Sequence, residues 1–148
     1  MNKTEEAGTK EALKSFLKQN EEHHYNFEEE IDYKISSGSL KVDFELDGGF
    51  GPGLHRFTGM NEGGKSSEAL EVMKNFLKEP NSKGVYIKAE GRLSNEMVKR
   101  AGVSTEERNW CVIACNIFEK VFDLIRDLVQ NNQEKRKYMF IIDSMDGL

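Results

Sequence analysis

Cysteine and proline are almost missing from this chain, with two of each among 148 residues. Cys111 and Cys115 stand four apart in a largely apolar segment. That fits neither a disulfide framework nor the two-residue spacing of a zinc knuckle, so a reducing, cytoplasmic setting is expected. Long apolar runs are missing too. No stretch reaches the 18 or more apolar residues of a membrane span, and the N-terminal MNKTEEAGTKEALKSF carries acids where a secretory signal would be apolar. No membrane partner is expected. An excess of positive charge is also lacking. The net charge of -5 excludes a surface that is wholly a nucleic-acid footprint, while leaving room for a local basic site.

What is present divides by composition. Residues 1–35 carry five lysines against nine Asp and Glu, whereas residues 36–148 carry sixteen basic against seventeen acidic residues. Within the acidic front, Ala12, Leu13, Phe16 and Leu17 fall on one side of a helix, and the following EEHHYNFEEE has no sustained period. The expected organisation is a short amphipathic helix and acidic tether over residues 1–34, then a folded core over 35–148. His23 and His24 are adjacent, so on a helix they point about 100° apart and do not face one metal.

The core alternates short apolar runs with helical stripes. Leu54–Thr58, Val85–Ala89, Cys111–Ala114 and Tyr138–Asp143 have strand length and composition. Between them, Ala69, Leu70, Met73, Phe76 and Leu77 form one 3.6-residue stripe, and Ile117, Val121, Leu124, Ile125 and Leu128 another. Ser94–Ala101 reads as a shorter helix, capped by Ser94 and ended by Gly102. Strands alternating with helices predict an α/β fold with a parallel sheet. Gly48-Gly49-Phe50-Gly51-Pro52-Gly53 precedes a strand instead of following one, and reads as a turn. Trp110 and the two cysteines read as packing residues.

The chemistry begins after the first run. Gly59-Met60-Asn61-Glu62-Gly63-Gly64-Lys65-Ser66 satisfies the phosphate-loop pattern and opens into the Ala69–Leu77 helix. Glycines let backbone N–H groups curl around a phosphate, and the helix N-terminus adds partial positive charge there. Lys65 would then reach the terminal phosphates, the Ser66 hydroxyl would ligate Mg²⁺, and Ser67 would contact phosphate. ATP with Mg²⁺ is the expected ligand. Phosphoryl transfer also needs a second hold on the metal and a group that orients water. Asp143 and Glu90 each end a strand, so a parallel sheet would bring both to its carboxyl edge, Asp143 toward the metal and Glu90 as a general base.

Taken in order, Ile35-Ser36-Ser37-Gly38-Ser39-Leu40-Lys41-Val42-Asp43, Gly53–Gly59, the phosphate loop, Ala89-Glu90-Gly91-Arg92-Leu93 and Ile141-Ile142-Asp143-Ser144 resemble the motif series of RecA-family recombinases. They are similar in particular to the UvsX-like branch of phages. The resemblance covers residues 35–148. It implies a RecA-like P-loop NTPase fold: a DNA-dependent ATPase that polymerises on single-stranded DNA as a homo-oligomeric filament in recombination and repair. Position by position, Lys65 and Ser66 match the family's phosphate and Mg²⁺ residues, Glu90 its water-activating glutamate and Asp143 its second-motif aspartate. Met97 stands where the family commonly has an aromatic residue beside adenine. The Leu13, Phe16, Leu17 stripe would match a helix that docks on the next protomer.

In that family the DNA-contacting loops and the polar sensor of the terminal phosphate follow the aspartate motif, which here lies five residues before Leu148. A later strand also lies between the phosphate-loop strand and the aspartate strand. Residues 35–148 would therefore leave strand edges unpaired. Two other functions stay open: a non-catalytic nucleotide-binding or subunit-interaction module, and a helicase-type motor sharing the same phosphate loop.

Overall fold

A computed structural model describes residues 15, 16, 18, 33–90 and 93–145. The chain divides into two units, Met1–Asp32 and Tyr33–Leu148. Of the first, only Ser15, Phe16 and Lys18 are described, all helical. The amphipathic stripe through Ala12, Leu13 and Leu17, the acidic tether, His23, His24 and Arg92 lie outside the described residues.

The second unit is α/β. Its elements are α1 (Leu40–Glu45), α2 (Lys65–Phe76), β1 (Ser82–Lys88), α3 (Asn95–Ala101), β2 (Trp110–Ala114), α4 (Phe118–Gln130) and β3 (Lys137–Asp143). The three strands form one parallel sheet in the order β2-β1-β3. Central β1 pairs Tyr86 with Val112 on one side and with Ile141 on the other.

Side-chain alternation along β1 explains its two-sided burial. Tyr86, with Met139 and Ile141 of β3 and Trp110 of β2, meets Leu70, Met73 and Phe76 of α2 and Val98 of α3 on one face. Val85 and Ile87, with Tyr138, Phe140, Ile142 and Ile113, meet Val121, Ile125 and Leu128 of α4 on the other. A strand buried on both faces reads as a continuous apolar run, as Val85-Tyr86-Ile87 does. Full burial of such side chains is worth about 1.5–3 kcal/mol each, so this sandwich is the main source of the unit's stability.

Helix α3 is set by its ends. The Ser94 side chain accepts from the Met97 backbone N–H at 3.1 Å, and Gly102 closes the helix at φ 75°. Before the sheet, Ile35 and Phe50 exchange two backbone hydrogen bonds of 2.8 Å in an antiparallel bridge. The Asp43 carboxylate reaches back from α1 to accept from Ser36 Oγ at 2.5 Å and the Ser37 N–H at 2.7 Å.

One expected strand is not formed. Leu54–Thr58 enters no ladder. Phe57 joins the core on the α2 side and rests against Phe50 at 5.6 Å between ring centroids, but Leu54 is fully exposed. Composition makes this segment extended, yet a strand needs a neighbour for its backbone groups. Among the described residues none stands beside it, and the outer edge of β3 is likewise unpaired.

Candidate functional site

Helix α2 begins at Lys65, directly after a loop whose shape depends on its sequence. The Gly63 N–H donates to the Met60 carbonyl at 3.1 Å, Glu62 adopts φ 57°, and Gly64 caps the helix at φ 89°. A left-handed residue just before a helix is a natural place for glycine. The turn leaves the first backbone N–H groups of α2 without acceptors from a preceding helical turn. A side chain at N-cap would ordinarily satisfy one of them, but here none does.

Those groups open on a cleft of about 250 Å³ lined by Glu62, Gly63, Gly64, Lys65, Ser66, Ser67 and Met97. Seven of the expected site residues thus meet in one place. Met97 arrives from α3, whose first turn is fixed by the Ser94 cap. Gly59 and Asn61 do not line the cleft. Gly59 contributes through its carbonyl, which accepts from the Lys65 ammonium at 3.0 Å, while the Met60 carbonyl accepts from the same ammonium at 2.8 Å. Lys65 is thereby folded over its own loop, within reach of the space that the loop encloses. Glu62 brings one negative charge to the rim.

The sheet supplies the rest. Asp143 is the last residue of β3, and its Oδ2 accepts from the Ser66 hydroxyl at 2.7 Å across 77 positions of sequence. The Tyr86 hydroxyl donates to the same oxygen from β1. Burial first, and then the adjoining carboxylate, hold the Tyr86 phenol well above its ordinary range, so it stays a proton donor. Sequence alone marks Tyr86 only as a buried strand residue. Its contact with Asp143 follows from the β1–β3 pairing, in which Lys88 lies opposite Asp143.

Glu90 also reaches the carboxyl edge. Its backbone N–H donates to the Asp143 carbonyl at 3.2 Å, and that of Ala89 to the same carbonyl at 3.0 Å. The Glu90 side chain is exposed and lies outside the cleft lining. Parallel strands thus bring both carboxylates to one edge, with Asp143 against the loop and Glu90 at its margin.

The donor set can be tested against the expected metal. Among the described residues no group of three or more His, Cys, Asp and Glu side chains could cage an ion. Mg²⁺ does not need one, because it takes one or two protein oxygens and completes its shell with phosphate and water. The Ser66 hydroxyl and Asp143 carboxylate, side by side next to the Gly63–Gly64 turn, are such a pair. They fit a Mg²⁺–phosphate unit. Bound there, Mg²⁺ would neutralise charge on the phosphate oxygens.

A second cleft, of about 430 Å³, lies at the opposite, amino edge of the sheet and is lined by Lys83, Arg108, Asn131, Asn132, Gln133, Glu134, Arg136 and Tyr138. Arg136 donates from Nε to the Glu134 carboxylate at 2.5 Å and from a terminal nitrogen to the Arg108 carbonyl at 3.1 Å. Arg136 foremost, then Arg108 and Lys83, holds the Glu134 carboxyl below its usual range. The cations here already share an acid. Cys111 and Cys115 are free thiols, half-buried, and no helix among the described residues is long and apolar enough to cross a membrane.

No protein-family model matches the chain, and no curated protein matches it.

Proposed function

We propose that the chain binds ATP with Mg²⁺ at the loop Gly59–Ser66, as the nucleotide-binding core of a RecA-type, DNA-dependent ATPase. The observation that carries the reading is the Ser66–Asp143 hydrogen bond of 2.7 Å. It joins the hydroxyl beginning a phosphate-loop helix to the carboxylate ending a separate strand. An accidental Gly-Lys-Ser turn has no reason to meet an acid 77 residues away at the carboxyl edge of a parallel sheet, where such folds take their ligands.

Each residue then has a task. The Gly63, Gly64 and Lys65 backbone surrounds the terminal phosphates, Lys65 leaves the Gly59 and Met60 carbonyls to meet their charge, and Ser67 adds a hydroxyl. Ser66 and Asp143 hold the metal, and Met97 packs against the base. Glu90 orients the attacking water and accepts its proton. Recombination on single-stranded DNA, as a filament, rests on the ordered motif series alone.

A second reading, a nucleotide-binding or subunit-interaction module without turnover of its own, is favoured by the Leu54–Thr58 segment, which enters no ladder among the described residues. Phosphoryl transfer depends on holding the reacting groups in place, and a ladder on this segment would help to hold the loop that follows it. One experiment separates the two. The purified chain is assayed for Mg²⁺-dependent ATP binding and hydrolysis, with and without single-stranded DNA, beside Lys65→Ala. DNA-stimulated turnover lost in Lys65→Ala supports the ATPase. Lys65-dependent binding without turnover supports the module, and binding indifferent to Lys65 removes both.

A further inference from the structure

Two hydroxyls converge on the Asp143 carboxylate, and only that of Ser66 belongs to the loop-and-metal arrangement. The other is that of Tyr86, the largest fully buried side chain among the described residues, 1% exposed. Its ring packs in the core between α2 and the sheet, 6.1 Å from the Trp110 ring between centroids. Packing of that kind leaves the ring little freedom, so its hydroxyl is delivered to a fixed point. That point is Oδ2 of Asp143, the oxygen that also accepts from Ser66.

A phenylalanine would fill the same space. The hydroxyl therefore calls for an account beyond packing, since a buried hydroxyl costs free energy unless it finds a partner. Here the partner is a carboxylate hydrogen-bonded to Ser66 of the cleft lining, and a charge-assisted hydrogen bond from a rigid donor fixes the rotamer of its acceptor.

We propose that Tyr86 is a positioning residue for divalent-cation binding: by holding Oδ2 of Asp143 from within the core, it fixes the carboxylate beside Ser66 in the orientation that a Mg²⁺–nucleotide requires. The inference rests on the reading of Gly59–Ser66 as a Mg²⁺–nucleotide site and adds to it a residue that lies outside the loop, in the core beneath it. Outer partners of metal ligands are known to act this way, and their loss typically weakens metal affinity by about 10–100-fold.

The test is equilibrium binding of Mn²⁺, followed by the electron paramagnetic resonance of the free ion, in the presence of saturating ATP. Parallel titrations follow ATP alone in EDTA. Tyr86→Phe should weaken Mn²⁺ binding about tenfold while leaving metal-free ATP affinity within about twofold, the split that a purely structural role would not produce. In an Asp143→Ala background the same change should have no further effect on Mn²⁺ affinity, because the hydroxyl acts through that carboxylate. Equal Mn²⁺ affinity in the parent and Tyr86→Phe would overturn the proposal while leaving the nucleotide site standing. Absence of Lys65-dependent ATP binding in the parent would instead overturn the reading beneath it.

A second measurement keeps the proposal open to refutation should Tyr86→Phe lose its fold. In the chain carrying Tyr25→Phe and labelled with ¹³Cζ tyrosine, Mn²⁺–ATP should broaden one of the three remaining tyrosine resonances selectively, and Mg²⁺–ATP should not. Tyr33, whose ring lies under the Lys137 ammonium, and Tyr138, at the start of β3, are at the other end of the sheet. If no tyrosine is broadened, Tyr86 does not sit beside the metal and the proposal falls.

Discussion

A Cβ on Gly63 would stand 2.9 Å from the carbonyl oxygen of Met60, the same oxygen that accepts from the Lys65 ammonium at 2.8 Å. The backbone on one side of the loop turn is thus in closest contact with the backbone on the other, and a methyl group there has nothing flexible to push aside. Gly63→Ala should displace the Met60 carbonyl and with it the resting place of Lys65. Both residues are exposed loop positions, so global stability should change by less than about 1 kcal/mol. Nucleotide affinity should fall about tenfold, equivalent to roughly 1.4 kcal/mol. Isothermal titration with Mg²⁺–ATP beside a thermal melt reads both quantities, and an unaltered affinity would show that the turn is not part of the binding surface.

Glu90 meets Asp143 through backbone alone, and its side chain is exposed. A base that works only on water has no need to touch the bound phosphates. Glu90→Gln should therefore keep ATP affinity within about twofold, and where the parent hydrolyses ATP the rate should drop by about 10²–10⁴. Single-turnover hydrolysis makes the comparison. Equal rates would withdraw Glu90 from catalysis and leave the binding assignment intact.

The elements most legible in the sequence are those that local physics decides. Helix α3 follows from Ser94 and Gly102, and its cap and its left-handed end are where those residues place them. The runs around Val85, Cys111 and Tyr138 form strands because apolar stretches of that length bury best in a covered sheet. The arrival of Glu90 and Asp143 at one edge also follows, from parallel direction alone. Less legible is whatever depends on a distant partner. Leu54–Thr58 has strand composition but no neighbour among the described residues to complete a ladder. Helix α1 shows no periodic stripe, leaves Leu40 and Phe44 largely exposed, and is held by the Asp43 side chain instead of by burial. Tyr86 could not be assigned to Asp143 without knowing which strands are adjacent and in what register.

Asp43 makes part of that non-local bracing pH-dependent. Hydrogen bonds from Ser36 and then Ser37 lower its carboxyl below the ordinary value of 3.8. A carboxyl lowered on folding adds stability that is present above its unfolded value and is lost as pH falls through the folded one. Thermal midpoints of the parent should accordingly decline as pH is taken from 5 toward about 2. Asp43→Asn should start from a lower midpoint at neutral pH and decline less steeply over the same interval. Parallel acid limbs in the two proteins would show that Asp43 does not contribute to the decline.

Gly84 tests the core itself. It lies in the middle strand, where an added Cβ would come 2.3 Å from Met73 Sδ and 3.3 Å from Trp110 Cε3. The absence of a side chain there is what lets α2 settle on β1 with Met73 fully buried. Gly84→Ala must push Met73 from its place or tilt the helix away, and overfilling of this kind costs about 1–3 kcal/mol. At roughly 2–4 °C per kcal/mol for a chain of this size, the melting temperature should drop measurably. Because the methionine end is flexible, Met73→Ala should make room for the new methyl group. The double variant should then lose less stability than the sum of the two single variants, since residues in contact are not additive. Additive losses would mean that the strand, and not Met73, gives way. In that case α2 would shift with it, and the Ser66–Asp143 hydrogen bond that spans helix and sheet would weaken as well. Chemical denaturation of the four proteins, combined with Mg²⁺–ATP affinity, distinguishes a local repacking from a displacement of the helix that follows the Gly59–Gly64 loop.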